Sequence, residues 1–457
     1  MIERRLWPRV EAAFPARITV RDKTGNAVDN LQGMTFDLQE KGIGLMLDNP
    51  LPLSHPLDIQ INASPRYGNF QAEAVPLWNT PSSDDGGFRA GLRLAKIRDE
   101  HLPALKNILA DYASLDSGFS LLIRKVYKVF HDAKDRFDAF DKNNTDGQKQ
   151  IDFIEANKKD IFERLELLFL KIWEIIKDFE KDKYRIHQDY CIHVLGPLVL
   201  EQVEINRHGT QKPLGYSGDF TMMNYIYDYH RGNYLGNSSY EKLVNHYTCN
   251  IPISCSNIKR KAYLKAKILE ALDKNDLPRI LSVAPGPARE LIEALEEGKI
   301  NKPLVFKCLD HEKTALRHIE DTLGKIDPAK KRNLSVEFIL RNVTSLIRDK
   351  EFRQKLQNFD LIYAFGIYDY LSDKMASRLT REFFQLLAKG GQLIIFNAGY
   401  NNDGYRAYYE LLGEWDLIHR TREEILSWTK EIDGSALIRF EELADNFDYQ
   451  CLNIVKQ

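Results

Sequence analysis

Cysteine is scarce in this chain and net charge is nearly absent. The five cysteines, Cys191, Cys249, Cys255, Cys308 and Cys451, are odd in number and widely scattered over 457 residues. That excludes a disulfide scaffold and fits a reducing, cytoplasmic setting. Neither CxxC nor HExxH occurs, so no metal centre is expected. A formal net charge of −2 argues against binding polymeric nucleic acid. No run of about 18 apolar residues exists, so no membrane-spanning helix is expected. The opening MIERRLWPRVEAAF carries arginines but no apolar h-region, against a secretory signal. What is present is enough apolar sequence, 43%, to build packed cores. At about 100–200 residues per domain, the length implies two to four of them.

Three patterns follow one another. Residues 1–100 contain short β-runs, ARITV, GIGLML, LDIQIN, FQAEAVPLW and FRAGLRL, separated by turn signals. Several alternate in polarity, as half-buried antiparallel strands do, and their density predicts a small barrel. Residues 101–185 switch to the helical period. SLLIRKVYKVFHDAKDRFDAF and DFIEANKKDIFERLELLFLKIWEIIKDF flank a polar break, Asp141–Gln150, and predict two long helices. Their wide apolar stripes need a neighbouring domain or a second chain, so a homodimer through this region is permitted. Residues 186–260 are less regular and rich in Tyr, Gly and Asn. From about 261 onward, RILSVA, PLVFKCLD, SVEFIL, FDLIYAF and QLIIFNA are each followed by a helical pattern, predicting an open α/β sheet with helices on both faces. ALIRFEEL and QCLNIVKQ then form a terminal hairpin at one edge.

The first of these α/β strands ends in SVAPGPARE. A ligand approaching a strand's carboxyl end needs a tight turn of small bulk, which Gly286 provides. GxGxxG is absent, which disfavours a dehydrogenase. Asp310 closes the second strand, where a carboxylate can accept bonds from ribose hydroxyls; its alternative is an ordinary cap. Asn342 follows the third strand, placed to read an adenine edge or to cap its loop. Tyr368, Asp369 and Tyr370 follow the fourth, where a reacting group belongs, or else pack and cap there.

Residues 261–457 resemble class I S-adenosylmethionine-dependent methyltransferases in their strand order, the Gly turn after strand one, the Asp after strand two and the GG turn before strand five. The family's turn usually has two or three glycines; here Ala284 and Ala288 flank Gly286. KPLGYSGDFTMMNYIYD, from Lys212 to Asp228, with FDLIYAFGIYDYL and WDLIHRTREE, resembles the subfamily of 3-hydroxypalmitate methyl ester synthases. That resemblance implies S-adenosylmethionine as cofactor, held by Tyr216, Ala284, Gly286, Asp310, Asn342 and Phe365, and a small carboxylic acid such as a 3-hydroxy fatty acid as substrate. Asp219, Tyr368 and Asp369 are the catalytic candidates. A carboxylate nucleophile is ionised at neutral pH and needs no general base, whereas a hydroxyl or amine would need one. His193, His208 and His230 read as surface or packing histidines.

At the other end, ERRLWPR sets Arg4, Arg5 and Arg9 before the first strand, and DLQEKG carries Asp37, Gln39 and Gly42. Clustered guanidiniums suit phosphates and guanine edges. Residues 2–97 resemble a PilZ domain, through RxxxR (Arg5 to Arg9), the DxSxxG-like stretch and the closing VPLW…FRAGLRL. The resemblance implies cyclic di-GMP as a regulatory ligand on Arg4, Arg5, Arg9, Asp37, Gln39 and Gly42. Gln39 stands where the family usually has Ser, and its longer amide is expected to alter affinity. DKNNTDGQKQIDF mimics a calcium loop, but the frame from Asp141 puts Asp146 where the turn glycine belongs, and the frame from Lys142 opens on a lysine and puts Phe153 at the bidentate acid position.

The expected architecture is therefore multidomain: a PilZ-like β-barrel over 1–100, a helical connector and methyltransferase cap over 101–260, and a Rossmann-like methyltransferase sheet over 261–457. The expected function is a cytoplasmic, cyclic di-GMP-regulated methyltransferase. The rivals are a dinucleotide-responsive interaction protein with the methyltransferase fold as scaffold, and a protein methyltransferase. Arg5→Ala and Arg9→Ala are each expected to weaken cyclic di-GMP binding at least about tenfold by calorimetry, the loss of a charge-assisted hydrogen bond. Undiminished binding removes these arginines from the site.

Overall fold

A computed structural model describes residue 10 and residues 13–62, 69–82, 87–400, 403–432, 434–442 and 449–457. Arg4, Arg5 and Arg9 lie outside the described residues. The chain divides into two compact units. One comprises residues 1–210, 236–244 and 406–414, the other residues 211–235, 245–405 and 415–457.

The first unit opens with six antiparallel strands, β1 (Pro15–Arg21), β2 (Ala27–Gln39), β3 (Gly42–Leu47), β4 (Leu57–Asn62), β5 (Asn69–Pro81) and β6 (Phe88–Ile97). They close into a barrel in the order β1-β2-β3-β6-β5-β4. Alternation explains the inward faces: Ala16, Ile18 and Val20 of β1 and Phe70, Ala72 and Ala74 of β5 are buried, as period-two patterning requires. The sequence pattern missed β2. Its first half, with Asp29, Asn30 and Gln32, is mostly polar and largely exposed, Val28 included, so its apolar signal is weak.

Helices follow: α1 (Leu102–Asp111), α2 (Ser117–Asp141), α3 (Gly147–Ile176) and α4 (Lys181–Val199). Asp116 and Asp146 cap α2 and α3, accepting from the Phe119 and Lys149 amides, which satisfies donors that a helix start leaves open. Phe119, Ile123, Val126, Phe130, Ala133 and Phe137 form the buried stripe of α2. The loop that mimics a calcium site is thus built from helix-capping contacts. Asp146 caps α3, and Asp141 accepts from Gln150 and from the Ser239 amide. The stretch 186–260, irregular by pattern, is largely helical: α5 (Glu204–Gln211), α6 (Phe220–Tyr229), α7 (Ser239–Asn250) and α8 (Pro252–Lys274) follow α4. These segments are mostly short and separated by Gly- and Asn-bearing turns, which blurs their period.

The second unit holds a seven-stranded sheet of β7 (Arg279–Val283), β8 (Leu304–Asp310), β9 (Leu334–Leu340), β10 (Phe359–Ala364), β11 (Leu387–Ala398), β12 (Leu437–Glu442) and β13 (Tyr449–Val455). Its order is β12-β13-β11-β10-β7-β8-β9. The first five strands are parallel, and β13 runs antiparallel beside β11 with β12 outside it. The terminal hairpin is present as expected, but its last strand lies inside the sheet and only β12 forms the edge. The connection reverses between β7 and β10, the switch point where open α/β sheets bind ligands. Helices α9 (Arg289–Glu296) and α10 (Lys313–Lys325) follow β7 and β8. Leu281, Val283, Ile362, Leu393, Ile395 and Leu452 pack with Leu379 and Phe383 as the core. Among the described residues, no helix is long and apolar enough to cross a membrane.

The exits of β10 and β11 are locked by one buried guanidinium. Arg420 donates to Asp373, to the Tyr368 carbonyl and to Asn397 at 2.8, 3.0 and 2.7 Å, and also to the Leu371 carbonyl. Removing it strands several buried acceptors at once. Arg420→Ala is expected to destabilise the protein by about 3–5 kcal/mol, read from urea denaturation; a loss below about 1 kcal/mol contradicts this role.

Candidate functional site

The turn after β7 is the geometric centre of the site. Ala284, Gly286 and Ala288 all have positive φ, at 50°, 54° and 48°. Left-handed backbone costs an alanine about 1–2 kcal/mol, so the strained turn persists with side chains where glycine is the easy choice. The Ala284 amide donates to the Leu309 carbonyl at 2.9 Å and the Ala288 amide to the Pro285 carbonyl at 2.9 Å, which hold it. A Cβ built on Gly286 meets nothing within 4 Å, and the same is true of Gly366 beyond β10. Open backbone therefore flanks both sides of the switch point.

Asp310 ends β8 beside this opening. It is buried, and its Oδ1 accepts from the Glu312 amide at 2.9 Å. Burial raises its carboxyl above the ordinary value, opposed by hydrogen bonds from the Glu312 and His311 backbone. The Arg341 amide donates to the Asp310 carbonyl at 2.9 Å, setting the ends of β8 and β9 side by side. Asn342, next in the chain, turns its Oδ1 onto the Thr344 amide and hydroxyl at 2.9 and 2.8 Å, a local turn of the Asx type.

The 212–219 loop comes over this edge. Asp219 caps α6, accepting from the Thr221 and Met222 amides at 2.9 and 3.0 Å. Helix α6 is in turn tied to the helices behind the sheet. Arg289 donates to Asn224 and Asp228 at 2.7 and 3.0 Å, and Asn224 bonds His318 at 3.0 Å. Tyr216 lies within electrostatic range of Asp310, Asp219 and Glu312, and its hydroxyl is pushed well up, first by burial. A Cβ on Gly218 would stand 2.8 Å from the Trp415 indole nitrogen, so only glycine admits that ring. Trp415 donates to the Tyr370 hydroxyl at 2.8 Å. The sequence candidates Tyr216, Asp219 and Asp310 are thus brought together.

Tyr368 and Asp369 lie one step behind. The Tyr368 hydroxyl pairs with Thr380 at 3.1 Å, and burial raises its pKa far above the ordinary value. Asp369 is 1% exposed, accepts from the Ala398 amide at 2.7 Å and, through its own carbonyl, from the Ile418 amide at 2.8 Å. Desolvation pushes its carboxyl up to about 6 against the pull of Arg260 and Arg420. Phe365 leaves β10 with its amide on the Val283 carbonyl at 3.3 Å. Sequence reading missed Trp415, which lay within a quoted motif, and Glu290. Glu290 sits in the first turn of α9 and accepts from the Tyr363 hydroxyl at 2.6 Å; burial pushes it up to about 7. Of the histidines, His193 is buried with its ring 5.4 Å from Phe14, and His230 bonds the Cys249 carbonyl at 3.0 Å.

In the barrel, Asp37, Gln39 and Gly42 share the β2–β3 hairpin. Gln39 and Gly42 are register partners, and Asp37 faces Gly44. A Cβ on Gly42 would come within 2.6 Å of the Gln39 amide nitrogen, so the longer side chain folds back over the glycine. Val10 pairs with Leu38 by two hydrogen bonds of 2.8 Å. The first described residue after the arginine segment therefore sits opposite the stretch between Asp37 and Gln39.

No family model matches this chain, and no curated protein does either. Among solved structures, 44% of the chain aligns with 99% of the methyltransferase domain of bacterial CtHen1 at 14% identity and a TM-score of 0.33. A SAM-dependent methyltransferase from Methanosarcina mazei matches 40% of the chain over 93% of its own length, at 17% identity and 0.29. The Bacillus subtilis inhibitor of motility MotI/DgrA matches 25% of the chain over 54% of its own, at 16% identity and 0.21. Scores this low carry no argument about activity.

Asp369 supplies a pH test. Its folded carboxyl, at about 6 against an ordinary 3.8, favours the protonated folded state. The stabilisation is complete below the ordinary value and is lost as pH rises through about 6. From pH 4 to pH 7 the wild type is expected to lose about 2 kcal/mol relative to Asp369→Asn, measured by urea denaturation at both pH values. Parallel pH dependence of the two proteins contradicts the assignment.

Proposed function

We propose that the second unit is an S-adenosylmethionine-dependent methyltransferase acting on a small carboxylic acid, and that the barrel binds cyclic di-GMP and regulates it. The carrying observation is the convergence of Tyr216 and Asp219 with Asp310 beside the open Gly286 turn at the switch point. An open turn without a side chain at Gly286 and a buried carboxylate at the next strand end suit a nucleoside with ribose hydroxyls. The strand order and the KPLGYSGD loop support the same reading.

In this reading Asp310 accepts from the ribose, the backbone at Ala284 and Gly286 lets the ligand approach, Asn342 and Phe365 border the base and sulfur ends, and Tyr216 covers the edge. The bound cofactor supplies an electrophilic methyl group on a sulfonium whose departure leaves a neutral thioether. The chain's own work is positioning and exclusion of water. Asp219 holds the loop as a helix cap. Tyr368 stays protonated, and Asp369 is committed to the Ala398 amide, so both position the strand-four exit. An ionised carboxylate acceptor needs no base from either. Asp37, Gln39 and Gly42, with Arg4, Arg5 and Arg9, take the dinucleotide. Regulation follows if cyclic di-GMP binds one state of the enzyme more tightly than another.

The test is transfer of labelled methyl to a panel of carboxylic acids, with and without cyclic di-GMP. Turnover on an acid, changed by the dinucleotide, is expected. Asp310→Ala is expected to weaken S-adenosylhomocysteine about tenfold or more, the loss of hydrogen bonds to a charged group. Absence of cofactor binding in the wild type sinks the enzyme reading and favours a scaffold; label entering protein rather than acid moves the acceptor to a protein.

A further inference from the structure

Arg260 is the most unusual charge in the second unit. It lies on α8 at the spacing of the buried residues Ile253, Asn257, Leu264 and Ile268, so helical geometry drives it inward. It is 2% exposed. Its guanidinium lies 3.5 Å from the Tyr449 ring centre, 4.5 Å from that of Phe365 and 5.8 Å from that of Phe396. Nη2 donates to Asn257. Nε and Nη1 are buried and find no acceptor. No ion pair of Arg260 occurs among the described residues, although Asp369 lies within electrostatic range.

A buried cation that keeps two donor nitrogens unmatched is costly. Leaving a single buried donor unmade costs about 1–3 kcal/mol, and a buried charge costs more. Ring faces relieve part of the charge but accept no N–H bond of ordinary strength. The position is informative too. Phe365 directly follows β10, Phe396 lies near the end of β11, and Tyr449 is the register partner of Ala398. The unmatched donors therefore sit at the carboxyl ends of the strands next to the switch point, on the side of β10 away from Asp310. The cofactor reading leaves this side for the acceptor.

We propose that Arg260 is the anion receptor of the acceptor site and binds the substrate's carboxylate. It is a positioning residue that selects a monoanionic acid and holds its headgroup against an aromatic wall. A carboxylate oxygen suits these donors, since guanidinium–carboxylate bonds are among the strong ones. The few donors and the aromatic surroundings fit a single negative charge on an apolar body better than a phosphate dianion. The choice of acceptor site rests on the methyltransferase reading; the carboxylate preference does not.

The experiment uses the full chain and calorimetry with decanoate and its uncharged counterpart decanamide, with and without S-adenosylhomocysteine. The wild type is expected to prefer decanoate at least tenfold. Arg260→Gln is expected to bring that ratio to about one while S-adenosylhomocysteine affinity stays within about twofold. No preference in the wild type, or a preference that survives Arg260→Gln, overturns the proposal. If Arg260→Gln does not fold, the wild type decides alone: the Arg260 Nε–H resonance is expected to shift with decanoate and not with decanamide, and an unmoved resonance overturns it. Failure of S-adenosylhomocysteine to bind the wild type strikes the methyltransferase reading instead, because the decanoate ratio is read without it.

Discussion

Burial of the Arg420 guanidinium is the constraint on which the candidate site depends. A desolvated cation is costly unless its donors are matched, and Arg420 finds its partners on the exit of β10, on Asn397 of β11 and on Asp373. These elements are far apart in sequence. Their agreement on one geometry fixes where Tyr368, Asp369 and Tyr370 stand, and the chain from His419 onward continues the same clamp through the Gly399 carbonyl. Arg260 behaves differently on the same end of the sheet. It is as deeply buried but only partly matched, with Nη2 on Asn257 and with Nε and Nη1 unpartnered.

The turn after β7 carries a second constraint. Three positive-φ residues fall within five positions of the turn, and only one of them is glycine. The strain at Ala284 and Ala288 must be offset by the Leu309 and Pro285 carbonyl bonds and by burial of Ala288. What matters for an approaching ligand is backbone shape, and alanine's Cβ leaves that shape intact where the neighbours enforce it. The departure from a glycine-rich turn thus changes the energetic route and keeps the opening.

Much of the fold was legible because it rests on periodicity. Alternation in ARITV and FQAEAV and the 3.6-residue stripe of α2 and α3 translate directly into buried faces. Strand β2 escaped because half of it faces solvent, and α5 to α7 because they are short and interrupted. The positions of Gly286 and Asp310 at the ends of β7 and β8 were readable from the strand pattern. Trp415 was not, since its role depends on Gly218, distant in sequence and close in space. Arg260 is one of three consecutive cations, Lys259 to Lys261, and nothing local marks it apart from its spacing from Asn257 and Leu264, which share its buried face.

By itself, the sequence determined most of the strands, the two long helices, the barrel, the α/β alternation and the residues at the strand ends, because these follow from local patterns and short-range turn chemistry. Tertiary structure alone decided the insertion of β13 between β11 and β12, the meeting of the 212–219 loop with Asp310, and the opposite fates of two buried arginines. Each is a matter of which donor finds which acceptor across the fold, and desolvation energy depends on that pairing rather than on residue type.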